Sequence, residues 1–516
     1  MKATKIFMMA ALALMTAACS SDDNDIAQQP AEQPANGEIT ITATIDSNDG
    51  ATTRALGIDG SNIASIWATT DEFAILFNDG SDNIKRTATV SSINGTTVTI
   101  TFTIPQALAN NTACTIVYPA SAANATNTGA DVAAALATQN GAIATTPEVR
   151  VGTATIDKDN HSLSSVTKLA AQNAIFKFTL KDIAGTADKA ATQFIVSNAS
   201  GDVLTTVTPG SATNELYVAL PALAAGTYWF NATVGGAPYI AKATVGTATT
   251  AGNYYQTQVN MATLGDLMAA NGKFYADAAA ITAASTTAIG VIAYLGTDNF
   301  TENGTTVGGN TFAGHGLVLC LKNAASGADA QWSTETSTLE FGDDAKVTNA
   351  DGLKRTTSVS GYTNTKTLAE KTDAATKYMA AYAAKNYTGL TAPAGTTGWF
   401  LPSAQQWVKL QEGLGELDES VIVWNTWFDS DHTATDKWNT ALAKAGTGKY
   451  DSMTNATQIR QDWCSSERNN GDAVRMAVDP NGTNLSGGKC LKWAYKIKYS
   501  DGGPGAEFIV RPILAF

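Results

Sequence analysis

The chain has 516 residues, 44% hydrophobic and only 15% charged, which is length for about three to four domains and enough apolar material for packed cores. Forty-six acidic residues against 33 basic ones leave a net charge of −13, so the basic surface that nucleic acid needs is missing and no nucleic-acid partner is expected. Three histidines and five scattered cysteines leave little for a metal site, and no cofactor is expected. Abundant glycine and thin charge suit β-rich modules better than a coiled coil or a disordered acidic tail.

The amino terminus reads as an address. Lys2 and Lys5 precede an apolar run, Ile6 to Ala18. That run is shorter than the about 20 residues of a membrane-spanning helix and fits the hydrophobic region of a signal peptide. It ends in Thr16-Ala17-Ala18-Cys19. Small residues before a cysteine resemble a bacterial lipobox, in which the thiol is acylated; Thr16 stands where Leu is usual. Residues 1–18 are therefore expected to be a lipoprotein signal peptide and Cys19 the lipidation site. The alternative is an ordinary secretory signal with an incidental cysteine. Residues 19–37 hold an acidic run, Asp22-Asp23-Asn24-Asp25, then a Gln/Pro/Ala-rich stretch, and read as a tether. The acidic run is similar to signals that export lipoproteins across a bacterial outer membrane. Attachment to that membrane would rest on lipid chains alone.

Strand patterns follow. Glu38 to Asp46 alternates Ile39, Ile41, Ala43 and Ile45 with Thr40, Thr42 and Thr44, a period-2 strand of β-branched residues. Trp67 leads into a strand over 72–77. Strands over 88–93 and 96–102 flank Asn94-Gly95, a dipeptide that favours a tight hairpin; 115–118 is a further strand. A first β-sandwich over 38–150 accommodates these. A second, over 151–262, takes strands at 174–180, 193–196, 216–220, 228–234 and 254–259, punctuated by Gly, Asn, Ser and Pro turns.

From residue 263 the texture changes. Helical signals occur at 375–384 and 403–412, eight of the ten tryptophans fall here, and the chain ends on an apolar run, Phe508 to Phe516, interrupted by Pro512. Residues 263–516 read as an α+β domain, so the chain as a whole is mainly β with an α+β C-terminal domain.

Residues 1–262 resemble a fimbrillin, a subunit of the type V pilus. The carrying features are the lipobox at Cys19, the strand Ile39–Ile45, Thr53-Arg54-Ala55, Trp67 before Asp71-Glu72-Phe73, then Ala174–Leu180 and Ala251-Gly252-Asn253-Tyr254-Tyr255. Residues 263–516 resemble a C-type-lectin-like domain through Thr397-Gly398-Trp399-Phe400-Leu401-Pro402, Ser403 to Trp407, Trp463-Cys464-Ser465-Ser466-Glu467 and Val510-Arg511-Pro512. Together these imply two tandem fimbrillin-type β-sandwiches followed by a C-type-lectin-like domain.

The first resemblance implies a mechanism. In fimbrillins a trypsin-like protease cuts after an Arg beyond the first strand, and a strand from a neighbouring subunit fills the groove. Here Arg54 is the one Lys or Arg between Lys5 and Lys85, so Arg54–Ala55 is the expected cleavage site. The expected plug strand is Ile39, Ile41, Ala43 and Ile45. Full burial of its three isoleucines would supply about 5–9 kcal/mol, so the strand cannot simply drift away. The expected partners are other pilus subunits, the processing protease, the outer membrane and a glycan or protein receptor. With the C-terminal segment completing its own domain, a tip or accessory position is expected; the opposing reading makes 508–516 a donor strand. The other function class is a non-polymerising surface lipoprotein that binds glycans or proteins.

Trp399, Trp407 and Trp463 are expected in the core. The calcium-lectin signatures Glu-Pro-Asn, Gln-Pro-Asp and Trp-Asn-Asp are missing from the sequence. Cys464 and Cys490 are candidates for a disulfide, which export permits; two free buried thiols are the alternative. His161, His315 and His432 are isolated, and the sequence has no His-Glu-x-x-His, Cys-x-x-Cys, Walker or Gly-x-Ser-x-Gly motif, so no enzymatic activity is expected.

Overall fold

The structure is a computed structural model that describes residues 37–46, 57–59, 62–64, 67–95, 97–297, 306–307, 310–335, 340–341, 359–418, 423–424, 433–454, 459–467, 470–478, 490–495 and 506–516. It is mostly strand, with helices concentrated in the C-terminal half.

The first sheet contains β1 (Glu38–Asp46), β4 (Glu72–Asn78), β5 (Asn83–Asn94), β6 (Thr97–Pro105), β7 (Thr112–Tyr118), β9 (Arg150–Asp157), β10 (Ser162–Ser164) and β11 (Ala170–Ala171). Two short strands, β2 (Gly57–Asp59) and β3 (Asn62–Ala64), pair with each other, and β8 (Thr138–Gln139) leaves for the second module. The sheet order is β1-β6-β5-β4-β7-β9-β10, with β11 on β9. It therefore runs past residue 150, since β9 pairs with β7 from Arg150↔Tyr118 to Ile156↔Thr112. The β5–β6 turn falls one residue later than the dipeptide suggested. Asn94 stays in the ladder opposite Thr97, and Gly95 takes φ +60°, the conformation glycine tolerates without steric cost.

β4 is a continuous apolar run because both faces are covered. Phe73, Ile75 and Phe77 enter the first core. Ala74 and Leu76 join a second apolar patch with Val117, Leu136, Val149 and Ala219, the last from the second module. This patch and β8 tie the two modules together.

The second sheet holds β12 (Asn173–Asp182), β13 (Ala191–Asn198), β14 (Val203–Val207), β15 (Glu215–Pro221), β16 (Gly226–Val234), β17 (Ala237–Val245) and β18 (Tyr254–Thr263). Its order is β15-β12-β18-β17-β16-β13-β14-β8. β12 and β18 are parallel from Ile175↔Tyr254 to Asp182↔Met261. β17 and β18 pair at only two positions, Tyr239↔Thr263 and Ile240↔Ala262, so the sheet splits into two leaves over a core that includes Phe178, Phe194 and Phe230. The strands expected at 174–180, 193–196, 216–220, 228–234 and 254–259 all occur.

Beyond residue 263 are two sheets and several helices. β19 (Leu267–Ala269), β20 (Phe274–Tyr275), β21 (Ala288–Leu295), β24 (Gly316–Cys320) and β31 (Ile513–Ala515) form one sheet, ordered β20-β19-β21-β24-β31. β22 (Thr306–Val307) and β23 (Asn310–Thr311) are a separate pair. β25 (Ala325–Ser326), β26 (Val423–Trp424), β27 (Ile459–Glu467), β28 (Asp472–Val478), β29 (Cys490–Tyr495) and β30 (Ala506–Val510) form the other, ordered β25-β30-β27-β28-β29-β26. The expected helix at 403–412 is Ala404–Glu412, and its start is set by a capping box between Ser403 and Gln406, which satisfies orphan N–H donors. The expected helix at 375–384 is two pieces, Ala374–Lys377 and Met379–Lys385, broken at Tyr378, whose backbone leaves the helical region at φ −124°, ψ 53°.

Cys464 is a free, fully buried thiol. Its strand β27 is separated from β29, which carries Cys490, by β28. Two interstrand spacings are roughly 10 Å, beyond disulfide reach. This strand order favours the alternative of free thiols.

Candidate functional site

The residues of β1 dictate its placement. Its register with β6 is unbroken over nine residues, from Glu38↔Pro105 to Asp46↔Thr97. Alternation then sends Ile41, Ala43 and Ile45 inward, where they are 0%, 5% and 0% exposed, while Thr40, Thr42 and Thr44 face out. The inward residues share a core with Phe73, Ile75, Val98, Ile100 and Ile104. Ile39 is only half-buried.

β1 lies at one end of the sheet order and β10 at the other. The sheet curls until those ends meet. The Thr42 N–H donates to the His161 carbonyl at 3.0 Å, just before β10, where His161 sits at φ +52°. Among the described residues β1 thus has a full ladder on one edge and a single backbone hydrogen bond to the loop on the other. It closes a rolled sheet.

Its attachment is apolar and regular. Ile41 and Ile45 contribute about 3–6 kcal/mol by burial, less than the about 5–9 kcal/mol for three buried isoleucines, because Ile39 stays half-open. The Glu38–Arg86 ion pair, 3.3 Å with both side chains about a third exposed, adds at most about 1 kcal/mol. No inward side chain of β1 is polar. Such a strand is replaceable in kind, since any segment with apolar residues at alternate positions meets the same requirements. Without it, the β6 edge and the trench over Ile100 and Phe73 would face water.

The C-terminal segment is held differently. The expected single strand over 508–516 is two strands in two sheets: β30 pairs with β25 and β27, and β31 pairs with β24. Between them Pro512 has no N–H for a ladder, and the buried Arg511 guanidinium donates to the Cys320 carbonyl at 2.8 Å and the Asp451 carbonyl at 2.5 Å. Phe400 bridges Ile513 from the other side. Every residue from Phe508 to Phe516 is buried.

Cys19, Arg54, Ala55 and His432 lie outside the described residues. Trp399, Trp407 and Trp463 are 3%, 0% and 0% exposed, and their indole N–H groups donate to the carbonyls of Leu390, Trp463 and Ala330. Among the described residues no group of three or more His, Cys, Asp or Glu could hold a metal ion, and no helix is long and apolar enough to cross a membrane. Two features escape the sequence. The His161 carbonyl that closes the first sheet offers its backbone alone, so no side-chain pattern signals it. His315, isolated in the sequence, stacks on Trp229 from the second module.

The chain is thus mainly β, with a helix-containing C-terminal region and a first module closed by its leading strand. No family model matches it, and no curated protein does. It is similar to solved structures at low identity. A fimbrial protein from Bacteroides ovatus ATCC 8483 is 16% identical, with 94% of this chain and 100% of that one covered and a TM-score of 0.33. A fimbrial assembly protein from Parabacteroides distasonis ATCC 8503 is 11% identical over 43% of this chain and 90% of that one, with a TM-score of 0.25. A shaft pilin from Lactobacillus rhamnosus GG is 13% identical over 44% and 98%, with a TM-score of 0.20.

Proposed function

We propose that this chain is the lipoprotein precursor of a surface pilus subunit, acylated at Cys19 and cut at Arg54–Ala55. Removal of β1 opens the trench beside β6, and a strand from a neighbouring subunit occupies it. The observation that carries the reading is the asymmetric seating of β1, with nine residues paired on one edge and, among the described residues, one backbone bond on the other. A strand so placed blocks premature polymerisation while attached and leaves a strand-shaped vacancy when excised.

Cutting the tether does not release β1 by itself, because its burial still favours the closed sheet. A replacement strand supplies equivalent apolar plugs and ladder bonds. Exchange is then close to thermoneutral and is driven by the incoming strand. The segment 508–516 is built into two sheets, which favours a tip or accessory subunit over one that donates this segment. Residues 263–516 take the C-type-lectin-like part, an adhesive domain without a calcium-lectin signature, and the chain carries out no catalysis.

Replacing Arg54 with Ala tests the reading. The expected result is a surface-anchored monomer that keeps residues 20–54 and enters no fibre. Normal assembly of Arg54→Ala would overturn the cleavage assignment.

A further inference from the structure

In the second module β17 and β18 pair at Tyr239↔Thr263 and Ile240↔Ala262 and then diverge. Continued in the same register, the ladder would set residues 241–245 against residues 257–261. A cleft of about 740 Å³ stands where those pairs are missing, with residues 241–244 from one strand and 257–260 from the other. It is within the size range of ligand sites. Phe230 and the turn at 271–275 also line it.

Each strand already uses its other edge, β17 on β16 and β18 on β12. Across the cleft, the N–H and C=O groups of 241–245 and 254–261 make no backbone hydrogen bond among the described residues. Open edges of this kind are templates for another strand. The side chains agree. Ala241 and Val259 are buried in a core with Phe230. Alternation puts Ala243 and Thr257 on the same core-facing sides, yet both are exposed. The two leaves therefore gape over apolar surface.

Charge specifies the kind of strand. Lys242 and Lys273 line the cleft and no carboxylate does; the whole lining belongs to the stretch 97–297, described throughout. Lys242 alternates with Ala241 and so faces outward, where its ammonium lies 5.0 Å over the Trp229 ring. Lys273 adjoins Phe274, which packs with Trp229 and Ile240 on that outer side. Among the described residues neither lysine has an acidic partner. An extended segment shows alternate side chains to opposite faces. One that fits here carries small apolar residues toward Phe230 and Val259 and carboxylates toward the lysines. We propose that this cleft binds such a segment of another polypeptide, an alternating apolar and acidic strand added to the edge of β17 or β18. The site belongs to the second module and needs neither cleavage at Arg54–Ala55 nor exchange of β1.

The test titrates the full uncleaved chain into a fluorescent peptide of about eight residues that alternates Val and Glu. The comparisons are a peptide alternating Val and Lys and one with the Val and Glu residues grouped in two blocks. Anisotropy should report binding of the alternating acidic peptide alone, weakened by salt. Hydrogen exchange should show new protection at 241–245 or 254–261 and none at β1 or β6. Ala243→Trp, at an exposed position, fills the cleft and should weaken binding about tenfold or more. Lys273→Gln, in a turn, is the second variant, should Ala243→Trp not fold, and should weaken binding about threefold. Absence of binding, equal binding of the lysine or block peptide, protection at β1 instead, or undiminished affinity in the folded variants would overturn the proposal. So would self-association of the chain that protects these same strands, which gives the cleft to a second copy.

Discussion

β1 and the C-terminal segment are both short apolar strands, yet they are anchored in opposite ways. β1 alternates, burying Ile41, Ala43 and Ile45 while three threonines face solvent. Its second edge makes one described backbone bond, to the His161 carbonyl. Phe508 to Phe516 is buried residue after residue, divides between two sheets, and is pinned by a buried arginine and by Phe400. The difference shows what makes a strand exchangeable. An edge strand with one apolar face asks only for a pattern, which another polypeptide can supply. A strand covered on both faces and fixed by specific polar bonds asks for its own sequence.

Perturbing each segment should sharpen that contrast, and hydrogen exchange read separately for each sheet resolves the effects. Phe508 stacks on Trp463 with centroids 4.5 Å apart. Phe508→Ala should cost about 3–5 kcal/mol and deprotect β27 and β30 while leaving β1 unchanged. Ile41→Ala should cost about 2–4 kcal/mol, with lost protection confined to β1, β6 and their neighbours. If Ile41→Ala also loosens the C-terminal sheets, the two segments are coupled and the contrast fails.

Acid should separate them as well. His315 is bonded to Phe516, and its pKa falls from 6.5 to about 4 on folding, chiefly through burial. The unfolded chain therefore takes up a proton that the folded chain refuses. This contribution to stability is intact above pH 6.5 and declines as pH falls toward 4, by roughly 3 kcal/mol in all. Protection near β24 and β31 should fall over that window, and His315→Phe should flatten the response. The smallest effect is expected from Thr42→Pro, which removes the bond to His161 on the open edge where proline is tolerated. It should cost about 1 kcal/mol and speed the exchange of β1 after cleavage.

Much of this arrangement is legible in sequence where one face decides the structure. The Ile/Thr alternation of β1 fixes both its strand character and its buried face, and the Ser403–Gln406 capping box marks a helix start. Trp399, Trp407 and Trp463 are core residues, as their place in the lectin-like sequence pattern suggests. Long-range pairing is not legible. Nothing local announces that β1 meets the His161 carbonyl, that β12 and β18 run parallel, or that β8 crosses into the second module. The run 508–516 reads as one strand because composition does not reveal that Arg511 and Pro512 turn it between two sheets. His315 becomes conspicuous only when Trp229 is brought against it.

The central claim is that β1 is a removable closure. Amino-terminal sequencing of the protein recovered from assembled surface fibres addresses it most directly. The account predicts a chain that begins at Ala55, with the trench beside β6 filled by a strand from another subunit. Recovery of fibre-borne chains that still carry Ile39 to Ile45 would contradict it.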